Sequence, residues 1–184
     1  IAARLSDTCE CSGSSNSTEV VLISTCNRTE IYAITGDLCR AEANLKQYLA
    51  TQARLAPEAL DRLAYADCNQ AAVLHLMQVA AGLDSLVKGE NEILGQIKDA
   101  SLSAQQAGTS GPVLSALFRF AIQAGKEVRS QTEIGQTGHS VATVVVELAQ
   151  EQLGPLDQHT ALLLGAGKIS GMAARELVKA GLRC

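Results

Sequence analysis

Between Gln70 and Leu83 the chain has almost no face to give to water. Ala71, Ala72, Val73, Leu74, Leu76, Met77, Val79, Ala80, Ala81 and Leu83 surround the helical axis, and this spacing predicts a helix buried on nearly all sides. The rest of the chain must therefore supply elements that cover it. Hydrophobic residues make up 47% of the 184 residues, aromatics only 3%, and Trp is absent, so the interior is Ala- and Leu-rich with few bulky anchors. His75 is the only ionisable side chain on the buried helix. A histidine there is either a hydrogen-bonded core residue or a group held in place for chemistry.

A second constraint lies upstream, where Val20 to Ile23 is a β-branched run that predicts a buried strand and Ile31 to Ile34 resumes the strand signal. The polar interruption carries Cys26 to a strand edge or corner between Thr25, Asn27 and Arg28. Free cysteines often only fill space in a core. These neighbours are poor core residues, however, and the Arg28 guanidinium two positions on favours the nucleophilic thiolate. The other cysteines, Cys9, Cys11, Cys39, Cys68 and Cys184, are irregularly spaced, and no disulfide framework is expected in a chain this apolar. Cys9 and Cys11 sit in a Ser/Gly/Asn-rich loop without a second Cys or His pair, so no metal site is expected. No apolar run reaches the ~18 residues of a membrane helix. The net charge of −4 argues against wholesale attraction to nucleic acid while leaving room for a local basic face.

Helical periodicity marks Leu38 to Arg54, with Pro57 punctuating its end, and Leu60 to Ala66 is short enough for a strand returning to the sheet. Gly82 to Ser85 closes the buried helix. Gly89-Glu90-Asn91 opens the next, with Glu90 and Glu92 in its first turn, where carboxylates suit the helix dipole. Gly111-Pro112 starts another, on which Arg119, Lys126 and Arg129 share one face, either solvated or arranged to contact phosphates. After a break from Gly135 to His139, Ser140 caps a helix to about Leu153 that looks like a connector. Beyond it, Ala161 to Leu164 reads as a strand, Gly165-Ala166-Gly167 as a tight turn, and Lys168-Ile169-Ser170 as the start of a helix ending near Ala180. That order is what a dinucleotide-binding βαβ unit requires. A presented cysteine, a histidine on a buried helix and a nucleotide turn together suggest hydride chemistry on a thioester.

From about Val20 onward the chain resembles glutamyl-tRNA reductase, on Ser24-Thr25-Cys26-Asn27-Arg28-Thr29-Glu30, His75-Leu76-Met77, Ala81 to Ser85, Gly89-Glu90 with Ile93-Leu94-Gly95-Gln96, the Phe118 to Arg129 helix and the glycine turn. The resemblance implies NADPH-dependent reduction of glutamyl-tRNA(Glu) to glutamate-1-semialdehyde, an early step of tetrapyrrole (porphyrin) biosynthesis. It implies Cys26 as nucleophile and His75 as its supporting histidine. Thr25, Asn27, Arg28, Ser85, Glu90, Asn91, Glu92 and Gln96 fall at its substrate-binding positions, and Gly165, Ala166, Gly167, Lys168, Ile169 and Ser170 at its NADPH turn. Arg28 is suited to the substrate's side-chain carboxylate through a planar fork. Implied partners are glutamyl-tRNA, a second copy in a homodimer and an aminomutase receiving the aldehyde, with no DNA. The implied compartment is the cytoplasm, or the plastid stroma in a photosynthetic eukaryote.

The expected architecture is α/β: an α+β catalytic domain over residues 1–136, a connecting helix over 137–154, and over 155–184 the opening of a Rossmann domain. Three departures accompany the resemblance. The segment before Val20 is short and Cys/Ser-rich, Glu92 stands where the family usually has glutamine, and the rest of the nucleotide domain is missing, so the chain by itself is expected to be inactive as a reductase. Two rival readings remain at this level: a non-reducing tRNA-binding or regulatory relic, and a Cys-His thioesterase or acyltransferase.

Overall fold

The computed structural model describes residues 19–90, 92–135 and 140–183. Cys9, Cys11, Asn91, residues 136–139 of the expected break and Cys184 lie outside the described residues. The described chain is helix-rich with a small sheet: β1 (Glu19–Ser24) pairs antiparallel with β2 (Thr29–Ile34) in a hairpin with Ser24 opposite Thr29. Helices follow: α1 (Leu38–Ala53), α2 (Pro57–Asp61), α3 (Gln70–Ala81), α4 (Glu92–Gln106), α5 (Pro112–Gln131), α6 (Val141–Leu153) and α7 (Lys168–Lys179).

The alternation of β1 sends Val21 and Ile23 inward and Leu22 and Ser24 outward. On β2 Tyr32 faces the same way, its ring meeting Phe118 of α5 edge-to-face at 5.5 Å. The interior they share with Leu76 and Val79 of α3, Ile93 and Ile97 of α4 and Leu114 and Ala121 of α5 is the main core. The expected burial of α3 thus holds along its Leu76, Val79, Ala80 and Ala81 side, while Leu74 is exposed. α3 and α5 come so close that a Cβ on Gly125 would lie 2.5 Å from the Ala80 carbonyl oxygen. Glycine is what lets the two backbones approach.

Glu19 ties the sheet to α5. No side chain of its own segment caps that helix, and the buried Glu19 carboxylate accepts from the N–H groups of Val113 (3.1 Å) and Leu114 (2.6 Å), two of the donors a helix start leaves unsatisfied. α6 begins as its sequence predicts: Ser140 Oγ accepts from the Thr143 N–H, and Thr143 Oγ1 accepts from the Ser140 N–H. Val146 of α6, Leu156 and Leu177 of α7 form a second, smaller cluster.

Several expectations are corrected. Leu60 to Ala66 is not a returning strand, because Pro57 seats itself in the first turn of α2 and Leu60 is buried from that helix; only Ala66 makes an isolated β-bridge. Glu90 precedes α4 instead of sitting in its first turn. Ala161 to Leu164 is not a strand, so the described residues show the helix-rich domain with its small sheet but not the Rossmann βα unit expected after it. No strand among them lies beside this segment to complete a ladder, and Leu162 and Leu164 are 83% and 87% exposed. Cys39 and Cys68 are each disulfide-bonded, contrary to the expectation of no disulfide framework. An apolar core does not prevent this, since neither residue belongs to it.

Candidate active site

The hairpin turn is built by Thr25. Its hydroxyl accepts from the N–H groups of Asn27 and Arg28, both at 3.2 Å, and its own N–H donates to the Arg28 carbonyl at 2.9 Å. These bonds hold the N–H groups of Thr25, Asn27 and Arg28 and leave Cys26 at the apex, a free and exposed thiol. The side chain of Asn27 is likewise outward.

Beneath the apex runs a network of charged groups. Arg28 Nη1 donates to Glu30 Oε1 at 2.8 Å and to Asp84 Oδ2 at 3.1 Å, while Nη2 donates to the Asp84 carbonyl. Glu30 Oε1 also meets His75 Nε2 at 2.9 Å, and Glu30 Oε2 accepts from the Tyr32 hydroxyl at 2.7 Å. The Tyr65 hydroxyl lies 3.1 Å from the same His75 nitrogen, with the two rings edge-to-face.

The electrostatics follow from these contacts. The hydrogen bond to Glu30 raises the His75 pKa against the opposing effect of burial. Burial works to raise the Glu30 pKa, but the bonds from His75, Tyr32 and Arg28 outweigh it and hold the carboxyl below its usual range. Burial lowers the Arg28 pKa and its carboxylate partners more than reverse that. Tyr65, pushed up to about 12 by burial and by Glu30 and Asp84, stays protonated and able to donate.

The loop from Gly82 to Glu90 delivers Asp84 to this network, with Ser85 next in the chain. Arg129 clamps the loop from α5, donating to the carbonyls of Gly89 at 2.9 Å and Glu90 at 2.5 Å. Gly89 has φ +80°, and a Cβ there would fall 1.9 Å from the Ile134 carbonyl oxygen, so no other residue fits. Ser85 Oγ is buried and has no hydrogen-bond partner among the described residues.

The structure thus joins Arg28, His75 and the Asp84-Ser85 corner, with Thr25 shaping the turn and Cys26 above. Cys26 and His75 share no hydrogen bond among the described residues; the imidazole reaches the apex only through Glu30 and Arg28. Glu92 and Gln96 stand in the first turns of α4, and Glu92 pairs with Lys168 at 2.7 Å. Lys168 thereby connects the glycine turn Gly165-Ala166-Gly167 to α4, while Ile169 and Ser170 continue α7. The expected common face of Arg119, Lys126 and Arg129 is corrected, because Arg129 turns into the loop it clamps. Glu30, Tyr32, Tyr65 and Asp84 were not anticipated as site residues. A period-2 alternation of Arg28, Glu30 and Tyr32 carried a signal for two of them.

Comparison with known proteins gives one answer. The family model described as "Glutamyl-tRNAGlu reductase, N-terminal domain" matches residues 2–132. The glutamyl-tRNA reductase of Pelobacter propionicus is 42% identical over 165 residues, 90% of this chain and 38% of that protein. That of Pseudomonas putida strain W619 is 46% identical over 167 residues, 91% of this chain and 39% of that protein. The solved structure of glutamyl-tRNA reductase from Methanopyrus kandleri matches with a TM-score of 0.57 at 37% identity, over 91% of this chain and 39% of that one. The chain therefore spans 38–39% of the length of these relatives.

Proposed function

The chain belongs to the glutamyl-tRNA reductase family, matching its N-terminal domain, and from that premise we propose that the protein reduces glutamyl-tRNA(Glu) to glutamate-1-semialdehyde, with NADPH as reductant, for tetrapyrrole biosynthesis. The observation that carries the reading is Cys26, a free thiol held at the apex of a turn that the Thr25 hydroxyl fixes through the Asn27 and Arg28 N–H groups. The Cys26 thiolate attacks the ester carbonyl carbon, the C–S bond forms as the C–O bond to the terminal ribose breaks, and the ribose oxygen leaves with a proton. When bound, NADPH supplies the hydride that converts the thioester to the aldehyde and frees the thiolate.

Arg28, fixed by Glu30 and Asp84, offers its remaining N–H donors to the substrate's side-chain carboxylate. Ser85, with its unpartnered buried hydroxyl, supplies a further hydrogen bond, since such a group is costly until it is paired. His75 is a positioning residue that steadies the apex through Glu30 and Arg28. For the cofactor, the described residues fit the phosphate end. Gly167 precedes α7 with no side-chain cap, leaving its first N–H groups for an anion. Gly165, Ala166, Gly167, Lys168, Ile169 and Ser170 would hold the pyrophosphate there. Dimerisation and hand-over of the aldehyde to an aminomutase belong to the same proposal. Among the described residues no helix is long and apolar enough to cross a membrane.

The test uses the full-length protein with glutamate-labelled tRNA. Without NADPH, the label should become protein-bound in a form released by hydroxylamine, and adding NADPH should convert it to aldehyde; Cys26→Ser should show neither. Steady release of free glutamate with no NADPH consumed would make the protein a thioesterase instead.

A further inference from the structure

A groove of about 660 Å³ runs between α4 and α5, away from the network around His75. It is lined by Lys98, Arg119 and Lys126 together with neutral residues that include Ser101, Gln105 and Gln123, and by no carboxylate. A surface that gathers three cations without an acid is notable in a chain of net charge −4. All three side chains are exposed, and the Arg119 guanidinium rests 5.2 Å from the ring centre of Phe120, itself exposed. Lys98 replaces Arg129 in the basic face the spacing suggested, because it comes from the neighbouring helix.

The groove has a direction. Lys98 lies about 9 Å along α4 from Glu92, and Lys126 about 4.5 Å along α5 from Arg129, which clamps the Gly89-Glu90 backbone, taking the helical rise of about 1.5 Å per residue. One end thus opens beside the elements that build the candidate active site.

We propose that the α4–α5 groove, through Lys98, Arg119 and Lys126, binds the phosphate backbone of the tRNA whose acylated end is presented to Cys26. The proposal rests on glutamyl-tRNA being the substrate. Each cation neutralises one phosphate, positioning the strand without reading its sequence.

The experiment measures binding of uncharged tRNA to the full-length protein across a salt series. Replacing Lys98, Arg119 and Lys126 together by Gln should flatten the plot of log affinity against log salt by about 2–3, at roughly 0.7–0.9 per contact. The charge-preserving set Lys98→Arg, Arg119→Lys and Lys126→Arg should keep the parental slope. An unchanged slope in the Gln variant, or equal flattening in the charge-preserving one, overturns the groove while leaving the reductase reading intact. Equal competition by duplex DNA would make the groove a general polyanion binder and overturn the tRNA assignment. Failure of the parent protein to bind tRNA at all removes groove and reading together.

Discussion

The carboxylate of Glu30 receives Arg28, His75 and Tyr32 at once, so its charge state governs the geometry below Cys26. His75 has a raised pKa, and its contribution to stability is complete below the unfolded value of 6.5 and disappears as pH rises through the folded one. Glu30 has a lowered pKa, and its contribution is present above the unfolded value of 4.5 and disappears as pH falls through the folded one. Glu30→Gln should therefore destabilise most between these two unfolded values, with the difference in Tm from the parent narrowing once His75 deprotonates. NMR titration should also find the His75 pKa lower in that variant, and an unmoved value would dissociate the two groups. Arg28→Lys should cost about 1–3 kcal/mol in chemical denaturation, because an ammonium cannot reach Glu30, Asp84 Oδ2 and the Asp84 carbonyl together. Equal stability would mean that the fork is dispensable. At this scale the sequence exposed Cys26, Arg28 and His75 through local contrast, a thiol among polar residues and an imidazole on an apolar helix. Asp84 gave no such signal, since its partner Arg28 is 56 residues distant and only the fold brings them together.

Two contacts set how neighbouring elements pack, one between α3 and α5 and one between β1 and α5. Gly125→Ala should push α5 off the Ala80 carbonyl and destabilise by about 1–3 kcal/mol, the usual cost of overpacking. Thermal melts test it, and an undiminished Tm would show that the crossing has slack. Glu19→Ala should remove the cap on α5 and cost about 1–2 kcal/mol, with Glu19→Gln recovering part of that, since an amide oxygen still accepts. If neither variant changes the denaturation midpoint, water replaces the cap. The long helices were legible because α1, α3, α4 and α5 repeat their apolar positions over several turns. The short runs were not. Leu60 to Ala66 and Ala161 to Leu164 have strand-like composition, but a strand exists only beside a partner, and periodicity does not contain the partner.

Among the described residues the buried clusters are two, one spanning the hairpin with α3, α4 and α5, the other α6 with Leu156 and α7. Leu156→Ala should cost about 2–5 kcal/mol of the smaller unit's stability. Hydrogen exchange should then accelerate in α6 and α7 and stay unchanged in α3 and α5. Uniform acceleration would mean that the clusters unfold as one. The Lys168–Glu92 pair links α7 to α4, but Lys168 is largely exposed, and such a pair is worth about 0–1 kcal/mol and weakens with salt. The bond from Glu19 to the start of α5 has a consequence in time. Its partners are 94 and 95 residues further along the chain. At about 5–20 residues per second, the ribosome takes roughly 5–20 s to make them. Throughout that interval the nascent hairpin carries its thiol and its apolar β1 side chains with no α5 to close over them. Chaperone capture and premature oxidation of Cys26 compete with folding in those seconds.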